Sequence, residues 1–199
     1  MSDSDKTSEL IGYSKKINDP TFAKYLKNSN RWSGIFSSGL ALVAIIGFFV
    51  YGETSSEMDN PQALLIGLGI GGMFISIAVF QIISRGRNKT WDGTVAYKLI
   101  KKKQRKRDAG NNDLYYEKYL EYSVSIKSDD GKIVELTAED DDTVYNYYQE
   151  SDRVRHHGGL NSFEKYDKSQ DDIIFCNACA SLNDINDDYC FRCHCPLLR

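Results

Sequence analysis

Two long runs of uncharged, mostly apolar residues constrain this chain more than any other feature of its sequence. The first covers residues 32–51, WSGIFSSGLALVAIIGFFVY, and the second covers residues 62–84, QALLIGLGIGGMFISIAVFQIIS. A helix needs about 20 apolar residues to cross the hydrocarbon core of a bilayer, and both runs reach that length. The rest of the chain is too short and too polar to cover two such helices on every side. We therefore predict a transmembrane helical hairpin.

Basic residues on either side of these runs predict the orientation of the hairpin. Lys and Arg occur within residues 1–31 and again directly after the second run, whereas the connecting loop, residues 52–61, contains neither. Lysine and arginine accumulate on the cytoplasmic side of membrane proteins. The sequence thus predicts a protein of the cell membrane with two spans, residues 32–84 together, an external loop and both termini in the cytoplasm.

Small residues in the second run predict how the two helices pack. Ala63, Gly67 and Gly71 recur at every fourth position, and small residues at this spacing allow two helix backbones to approach closely. The stripe could pack against the first helix of the same chain or form the interface of a homodimer. Neither run contains an ionisable residue, which argues against a transporter or a channel.

The segments outside the runs predict mixed secondary structure. The N-terminal segment, residues 1–31, favours a short amphipathic helix with Asp19 as its cap and Pro20 in its first turn. Residues 85–172 alternate between apolar and polar positions, and their clearest hairpin flanks the turn at Gly131. Several short strands punctuated by turns are typical of a small antiparallel barrel or sandwich. We expect this β domain to be cytoplasmic.

A dense basic run, KLIKKKQRKR at residues 98–107, interrupts the β domain. We interpret it as a solvated hairpin loop. Such a loop could contact anionic lipid of the inner leaflet or nucleic acid, although no aromatic residues are interleaved to stack on RNA bases. The basic residues of the run are Lys98, Lys101, Lys102, Lys103, Arg105, Lys106 and Arg107.

Two further polar clusters are not expected to form a catalytic or metal-binding site. His156 and His157 are neighbours, so in a strand they point to opposite faces, and we expect an ordinary surface pair. The acidic stretch EDDD, residues 139–142, lacks the glycine and the bidentate glutamate of a calcium loop, and it predicts a turn or a helix start. Since no catalytic constellation is visible, we do not expect an enzyme.

The C-terminal tail, residues 173–199, contains every cysteine of the chain. Two CxxC pairs lie ten residues apart and one more cysteine follows them. Paired CxxC motifs can bring four thiolates to the corners of a tetrahedron, the shell that Zn²⁺ takes in structural sites. Persistent disulfides are not expected in a reducing cytoplasm, and a thioredoxin-type site needs a single CxxC in a βαβ context. The tail therefore predicts one structural zinc ion.

Residues 174–198 resemble the short prokaryotic zinc ribbons, in which two CxxCG motifs flank a polar loop and an aromatic residue. Tyr189 supplies the aromatic position, while Ala180 and His194 stand where the family has glycine, which adopts positive φ without cost. The resemblance implies a ribbon with almost no core, folded by its metal. The implied ligands are Cys176, Cys179, Cys190 and Cys193, with His194 and Cys195 as substitutes that could replace Cys193.

These patterns together predict a membrane helical hairpin, a small antiparallel β domain and a terminal zinc ribbon. We expect a binding or regulatory module that recruits a macromolecular partner, most simply a protein. Two alternatives stay open. One is contact with anionic lipid or nucleic acid through the basic run, and the other is a thiol redox sensor that uses Cys195 and the paired thiols.

Overall fold

The computed structural model of this protein describes residues 10–108, 110 and 114–199. These residues form two compact units. We call residues 18–89 with 158–161 the helical unit, and the other described residues the sheet unit.

Two long helices make up most of the helical unit, α1 (Pro20–Thr54) and α2 (Asn60–Arg87). Asp19 caps α1, because its carboxylate accepts a hydrogen bond from the backbone N–H of Thr21 at 2.8 Å. The predicted short amphipathic helix is the first part of α1, which continues without interruption through the first apolar run. No proline or glycine lies between the two segments, so nothing in the sequence ends the helix there.

The small-residue stripe of α2 faces α1. Ala63, Gly67 and Gly71 are all buried. A Cβ atom added at Gly67 would lie 3.0 Å from Cβ of Phe48 and 3.2 Å from the carbonyl oxygen of Ala44. The two helix backbones are therefore so close at Gly67 that an added Cβ atom would crowd α1, and the stripe is used for packing within one chain.

Replacing Gly67 by leucine should separate the two helices. The added side chain meets Phe48 and the α1 backbone, and overpacking of this kind costs about 1–3 kcal/mol. We expect a lower thermal midpoint for the helical signal of the full chain in detergent, followed by circular dichroism. Gly69→Leu is the matched control, because a Cβ there meets nothing within 4 Å. Equal effects of the two substitutions would contradict this packing.

The faces of α1 and α2 that do not contact each other expose large apolar side chains. Both helices are long and apolar enough to cross a membrane, and only 11% and 22% of their most apolar 18-residue windows are buried. A core helix of a soluble protein would bury most of that surface. The most exposed of these side chains are Trp32, Phe36, Val43, Leu65 and Phe80.

One antiparallel sheet forms the centre of the sheet unit. Its strands lie in the order β3-β2-β1-β4-β5, and a short helix, α3, connects β3 to β4. The sheet stays open, because the edge strands β3 and β5 pair with no further strand in the described residues. The predicted barrel closure is therefore wrong, whereas the antiparallel arrangement is confirmed. The elements are β1 (Trp91–Asp108), β2 (Leu114–Ser128), β3 (Ile133–Glu139), α3 (Thr143–Tyr147), β4 (Arg153–His157) and β5 (Ser162–Lys165).

Strands β1 and β2 form a hairpin much longer than the rest of the sheet. They pair from Gly93 and Ser128 to Asp108 and Leu114, whereas β4 covers only residues 91–94 of β1 and β3 covers residues 121–127 of β2. Residues 101–108 and 114–120 consequently project as a two-stranded extension, which we call the distal ribbon. The basic run lies in β1, not in a loop as its composition had indicated.

A small hydrophobic core joins the sheet to the cysteine-rich tail. Val95, Val124, Ile126 and Val154 of the strands pack with Tyr147 of α3 and its neighbours. The tail adds a two-stranded sheet, β6 (Ile173–Phe175) and β7 (Leu182–Asp184). Phe175 of β6 meets the ring of Tyr147 edge-on at 4.9 Å between centroids. The tail therefore packs directly against the rest of the sheet unit.

The segment that precedes α1 docks on the same unit. Gly12 N–H donates to the carbonyl of Tyr166 at 2.7 Å, and Lys168 N–H donates to the carbonyl of Leu10 at 2.9 Å. The ring of Tyr13 packs against Tyr166 and lies under the guanidinium of Arg155 at 4.0 Å. Residues 10–14 therefore extend the edge of the sheet beyond β5.

Candidate metal centre

The first CxxC pair lies in a tight turn between β6 and β7. Ala180 N–H donates to the carbonyl of Cys176 at 2.8 Å, and Cys176 N–H donates to the carbonyl of Ser181 at 2.9 Å. These bonds fold the backbone around the two thiols, so that the Sγ atoms of Cys176 and Cys179 point to the same side.

The second CxxC pair repeats this geometry. His194 N–H donates to the carbonyl of Cys190, and Cys190 N–H donates to the carbonyl of Cys195, both at 2.9 Å. Cys195 thus occupies the position in the second turn that Ser181 occupies in the first. The sequence spacing agrees, because Ser181 and Cys195 each stand two residues after the second cysteine of their pair.

Each turn closes on a residue with a left-handed backbone. Ala180 and His194 both have φ of 58°, where the zinc ribbons that this tail resembles carry glycine. A non-glycine residue held at positive φ costs roughly 1–3 kcal/mol. The cysteine geometry of both turns is maintained against this strain.

Four thiols converge between the two turns. The Sγ atoms of Cys176, Cys179, Cys190 and Cys193 all lie within 4.8 Å of one another, with 3.5 Å between Cys176 and Cys193 and 3.6 Å between Cys179 and Cys190. Zn–S bonds of about 2.3 Å in a tetrahedron place the sulfur atoms about 3.8 Å apart, whereas a disulfide requires about 2.05 Å. The four residues, called here the four-cysteine cluster, therefore fit a metal ion.

Neither substitute ligand belongs to this cluster. The metal-compatible group in the described residues contains the four CxxC cysteines alone. His194 is exposed and Cys195 is buried. The structure thus brings together the four cysteines that the resemblance implies, with Cys193 in the fourth position.

The surroundings lower the pKa of one thiol of the cluster, Cys190, whereas burial raises the pKa of Cys176 and of Cys193. The Ser181 hydroxyl lies 2.9 Å from Sγ of Cys179 and 3.1 Å from Sγ of Cys190. Burial opposes ionisation of Cys190, but the Ser181 hydroxyl and the backbone amides of Cys193 and Arg192 outweigh it and lower the pKa of this thiol to about 6. Burial raises the pKa of Cys176 to about 12. A dication that binds all four sulfurs would displace the remaining protons.

The cluster is supported by a small hydrophobic core of its own. Ile174, Ile185, Leu197 and Leu198 are each at most 8% exposed. The side-chain amide of Asn177 donates to the carbonyl of Phe163 in β5 at 3.2 Å. The sequence had indicated a ribbon with almost no core, and the difference arises because the last residues of the chain fold back over it.

The basic run is divided between the two faces of β1. Alternate residues point to opposite faces of a strand, so Lys101, Lys103, Arg105 and Arg107 share one face. Three acidic residues of β2 and β3 form ion pairs on that face, Glu117, Glu121 and Glu139. The run is therefore not the uniform positive patch that its sequence indicates.

A buried ionic cluster lies where the sequence had predicted surface residues. His157 is 6% and Glu164 is 3% exposed, and the imidazole Nε2 lies 2.8 Å from Oε2 of Glu164. The other oxygen, Oε1, accepts from the Ser14 backbone at 2.7 Å and from Nζ of Lys168 at 3.2 Å. Lys168 is 1% exposed, and burial lowers the pKa of its ammonium group.

His156 is buried as well, so the prediction of a surface histidine pair is wrong. Its ring stacks on Trp91 at 5.1 Å between centroids. The two rings do contact different neighbours, as expected for adjacent strand residues. The partners of His157 and His156 in β5, Glu164 and Phe163, are only seven residues away, whereas Trp91, on which His156 stacks, lies far away in the sequence.

No family model, no curated protein and no solved structure matches this chain. The fold and the four-cysteine cluster are thus the main basis for a functional assignment.

Proposed function

We propose that this protein anchors a cytoplasmic binding module in the membrane and that one structural zinc ion holds the module together. The observation that carries the proposal is the four-cysteine cluster. Its four sulfur atoms would fill a tetrahedral shell completely, whereas a catalytic zinc site keeps one position open for water or substrate. The cluster therefore favours a scaffold that presents a surface over an enzyme.

The helical unit supports the membrane anchor. Its exposed apolar side chains have no cover among the described residues, and a bilayer would cover them. The turn between α1 and α2 lacks Lys and Arg, while α2 ends in Arg85 and Arg87. This distribution favours an external turn and cytoplasmic ends.

The docking of residues 10–14 supports two spans with both ends on the same side. These residues precede α1, yet they hydrogen-bond to Tyr166 and Lys168, which follow α2 in the chain. Segments paired in one sheet share one aqueous compartment. The chain must therefore cross the membrane an even number of times between them.

The exposed aromatic residues of the tail supply a surface for a partner. Tyr189 is 62% and Phe191 is 67% exposed, beside the buried Cys190, and Arg192 is exposed next to them. Aromatic and arginine side chains are enriched among the residues that contribute most to protein interfaces. We assign the recruiting surface to Tyr189, Phe191 and Arg192.

Photo-crosslinking in living cells tests this function. We expect a photoreactive residue in place of Phe191 to capture one defined macromolecule, and the double substitution Tyr189→Ala/Arg192→Ala to reduce capture at least tenfold at unchanged zinc content. Tyr97→Ala is the control, since Tyr97 is an exposed tyrosine of the sheet. Capture that survives both the surface variant and the loss of the four cysteines would contradict a recruiting ribbon.

A further inference from the structure

The distal ribbon has two faces with different charge. On one face three of the four basic residues form ion pairs, with Lys103 bonded to Glu121 at 2.6 Å and Arg105 bonded to Glu117 at 2.7 Å. Arg107 shares Glu117 at 2.9 Å, and Arg105 also reaches Glu139 at 2.6 Å. We call this the ion-paired face.

The opposite face carries three lysines, Lys102, Lys106 and Lys118, and we call it the lysine face. Lys118 lies on β2 opposite Gln104, so it is offset by two residues, about 7 Å along the strand direction, from Lys102 and from Lys106 on β1. No ion pair involves these lysines in the part of the chain that the structure describes. The same face carries Asp108 at the end of β1, whose carboxylate accepts the backbone N–H of Gly110 at 2.9 Å, and the nearby carboxylate of Asp140 accepts the backbone N–H of Leu120 at 2.8 Å.

Apolar and aromatic residues surround the three lysines. Ile100 is 47%, Leu114 is 55% and Tyr116 is 65% exposed. Nearer the sheet, α3 covers the same face, because Tyr145 packs on Tyr122 and lies 4.1 Å from Nζ of Lys98. The lysine face is therefore covered by α3 near the sheet and exposed along the distal ribbon.

We propose that the lysine face docks on the headgroup region of an anionic bilayer. This inference rests on the membrane anchor proposed above. Positive charge complements the anionic lipids of the inner leaflet, and juxtamembrane lysines are attracted to them. Aliphatic side chains and a tyrosine among lysines suit the boundary between headgroups and acyl chains.

Chain connectivity favours this occupant over nucleic acid. Only three residues separate the end of α2 at Arg87 from the start of β1 at Trp91, and such a linker spans at most about 10 Å. The sheet unit is consequently tethered beside the bilayer surface. Tyr116 is the one aromatic side chain of the lysine face within the described part of the distal ribbon, whereas single-stranded nucleic acid is bound by successive aromatic platforms.

Two adjacent tyrosines allow a matched experiment. Tyr116 lies on the lysine face and Tyr115 on the ion-paired face. The full chain, carrying p-benzoylphenylalanine at one of these positions, is placed in lipid nanodiscs with phosphatidylcholine alone or with about 30% phosphatidylserine. We expect crosslinking to lipid from position 116 to be at least fivefold higher in the anionic discs, and crosslinking from position 115 to show no such increase.

Substitutions identify the charges responsible. Lys102→Gln/Lys106→Gln/Lys118→Gln should abolish the anionic enhancement at position 116, as should about 0.5 M salt. Lys103→Gln/Arg105→Gln/Arg107→Gln removes the same number of positive charges from the ion-paired face. This variant should keep at least half of the anionic enhancement at position 116.

Three results would overturn the proposal. Equal crosslinking from positions 115 and 116, or from neutral and anionic discs, contradicts a lipid-docking face. Crosslinking to an added RNA oligonucleotide in place of lipid assigns the face to nucleic acid. A chain that does not enter the discs contradicts the membrane anchor itself, whereas one that enters but shows no dependence on lipid charge contradicts only the lysine face.

Discussion

Replacing any one of Cys176, Cys179, Cys190 or Cys193 by serine is expected to abolish binding of the proposed zinc ion and to unfold the tail. The three remaining thiolates leave the tetrahedral shell incomplete. Metal binding to small zinc modules contributes about 10–16 kcal/mol of apparent folding energy at neutral pH. The left-handed residues Ala180 and His194 then lose the constraint that holds them at φ of 58°. Metal analysis of the purified full chain should give one zinc per wild-type molecule and none per variant.

Cys195→Ala is the control for this experiment. Cys195 is 1% exposed and lies outside the four-cysteine cluster, so we expect zinc binding to be retained. Limited proteolysis separates the effects on folding, because cleavage within residues 176–195 should appear in the cluster variants and not in Cys195→Ala. A wild-type protein that holds no zinc, and whose thiols stay reactive after zinc is supplied, would contradict the structural role and favour a redox sensor.

The second large effect is expected from Glu164→Gln. This change removes the negative charge that faces Lys168 and His157 in the buried ionic cluster, and breaking one partner of a buried pair costs about 3–5 kcal/mol. The thermal midpoint of the sheet unit should fall by roughly 10–20 °C. Hydrogen exchange should also accelerate at the amides of Gly12 and Ser14, since the segment they belong to is bonded to the same cluster.

Two further variants separate burial from charge. Glu164→Gln/Lys168→Met removes both charges, so it should be more stable than Glu164→Gln alone. Glu117→Gln removes a carboxylate from the exposed ion pairs of the distal ribbon and should cost less than about 1 kcal/mol. Equal losses of stability for Glu164→Gln and Glu117→Gln would show that the buried ionic cluster contributes no more to folding than an exposed ion pair.

Lys168 is expected to make the stability of the protein depend on pH in the alkaline range. Burial lowers the pKa of its ammonium group below its ordinary value of 10.5. Between that lowered pKa and 10.5, the unfolded chain binds more protons than the folded chain, so the contribution of this group to stability increases as the pH rises. Lys168→Met should remove this increase.

Local patterns predicted much of the fold. The β2–β3 hairpin around Gly131 and the helix start after the acidic stretch follow from turn and capping chemistry that acts over a few residues. The two CxxC turns were visible for the same reason, and both residues in the glycine positions do have positive φ. Each of these features is determined by residues close together in the sequence.

The features that the sequence did not reveal depend on distant partners. The basic run has low strand propensity, and it forms part of β1 because Glu117 and Glu121 of β2 and Glu139 of β3 neutralise one of its faces. The buried pair of Glu164 and Lys168 was not predicted from the sequence, because Glu164 accepts from the backbone of Ser14 and Lys168 donates to the carbonyl of Gly12, both far away in the chain. Sequence spacing carries no information about such contacts.

The docked N-terminal segment also affects the order of events during synthesis. The ammonium group of Lys168 donates a hydrogen bond to the carbonyl of Gly12, which lies 156 positions earlier in the chain. Both helices of the hairpin are synthesised between these two residues. If the hairpin spans the membrane as proposed, residues 10–14 must therefore stay on the ribosome side while α1 and α2 are inserted. Under the proposed topology, residues 10–14 can pair with the sheet unit only after the hairpin is in the membrane. A chain that inserts wrongly therefore leaves this edge of the sheet unpaired and exposed to cellular quality control.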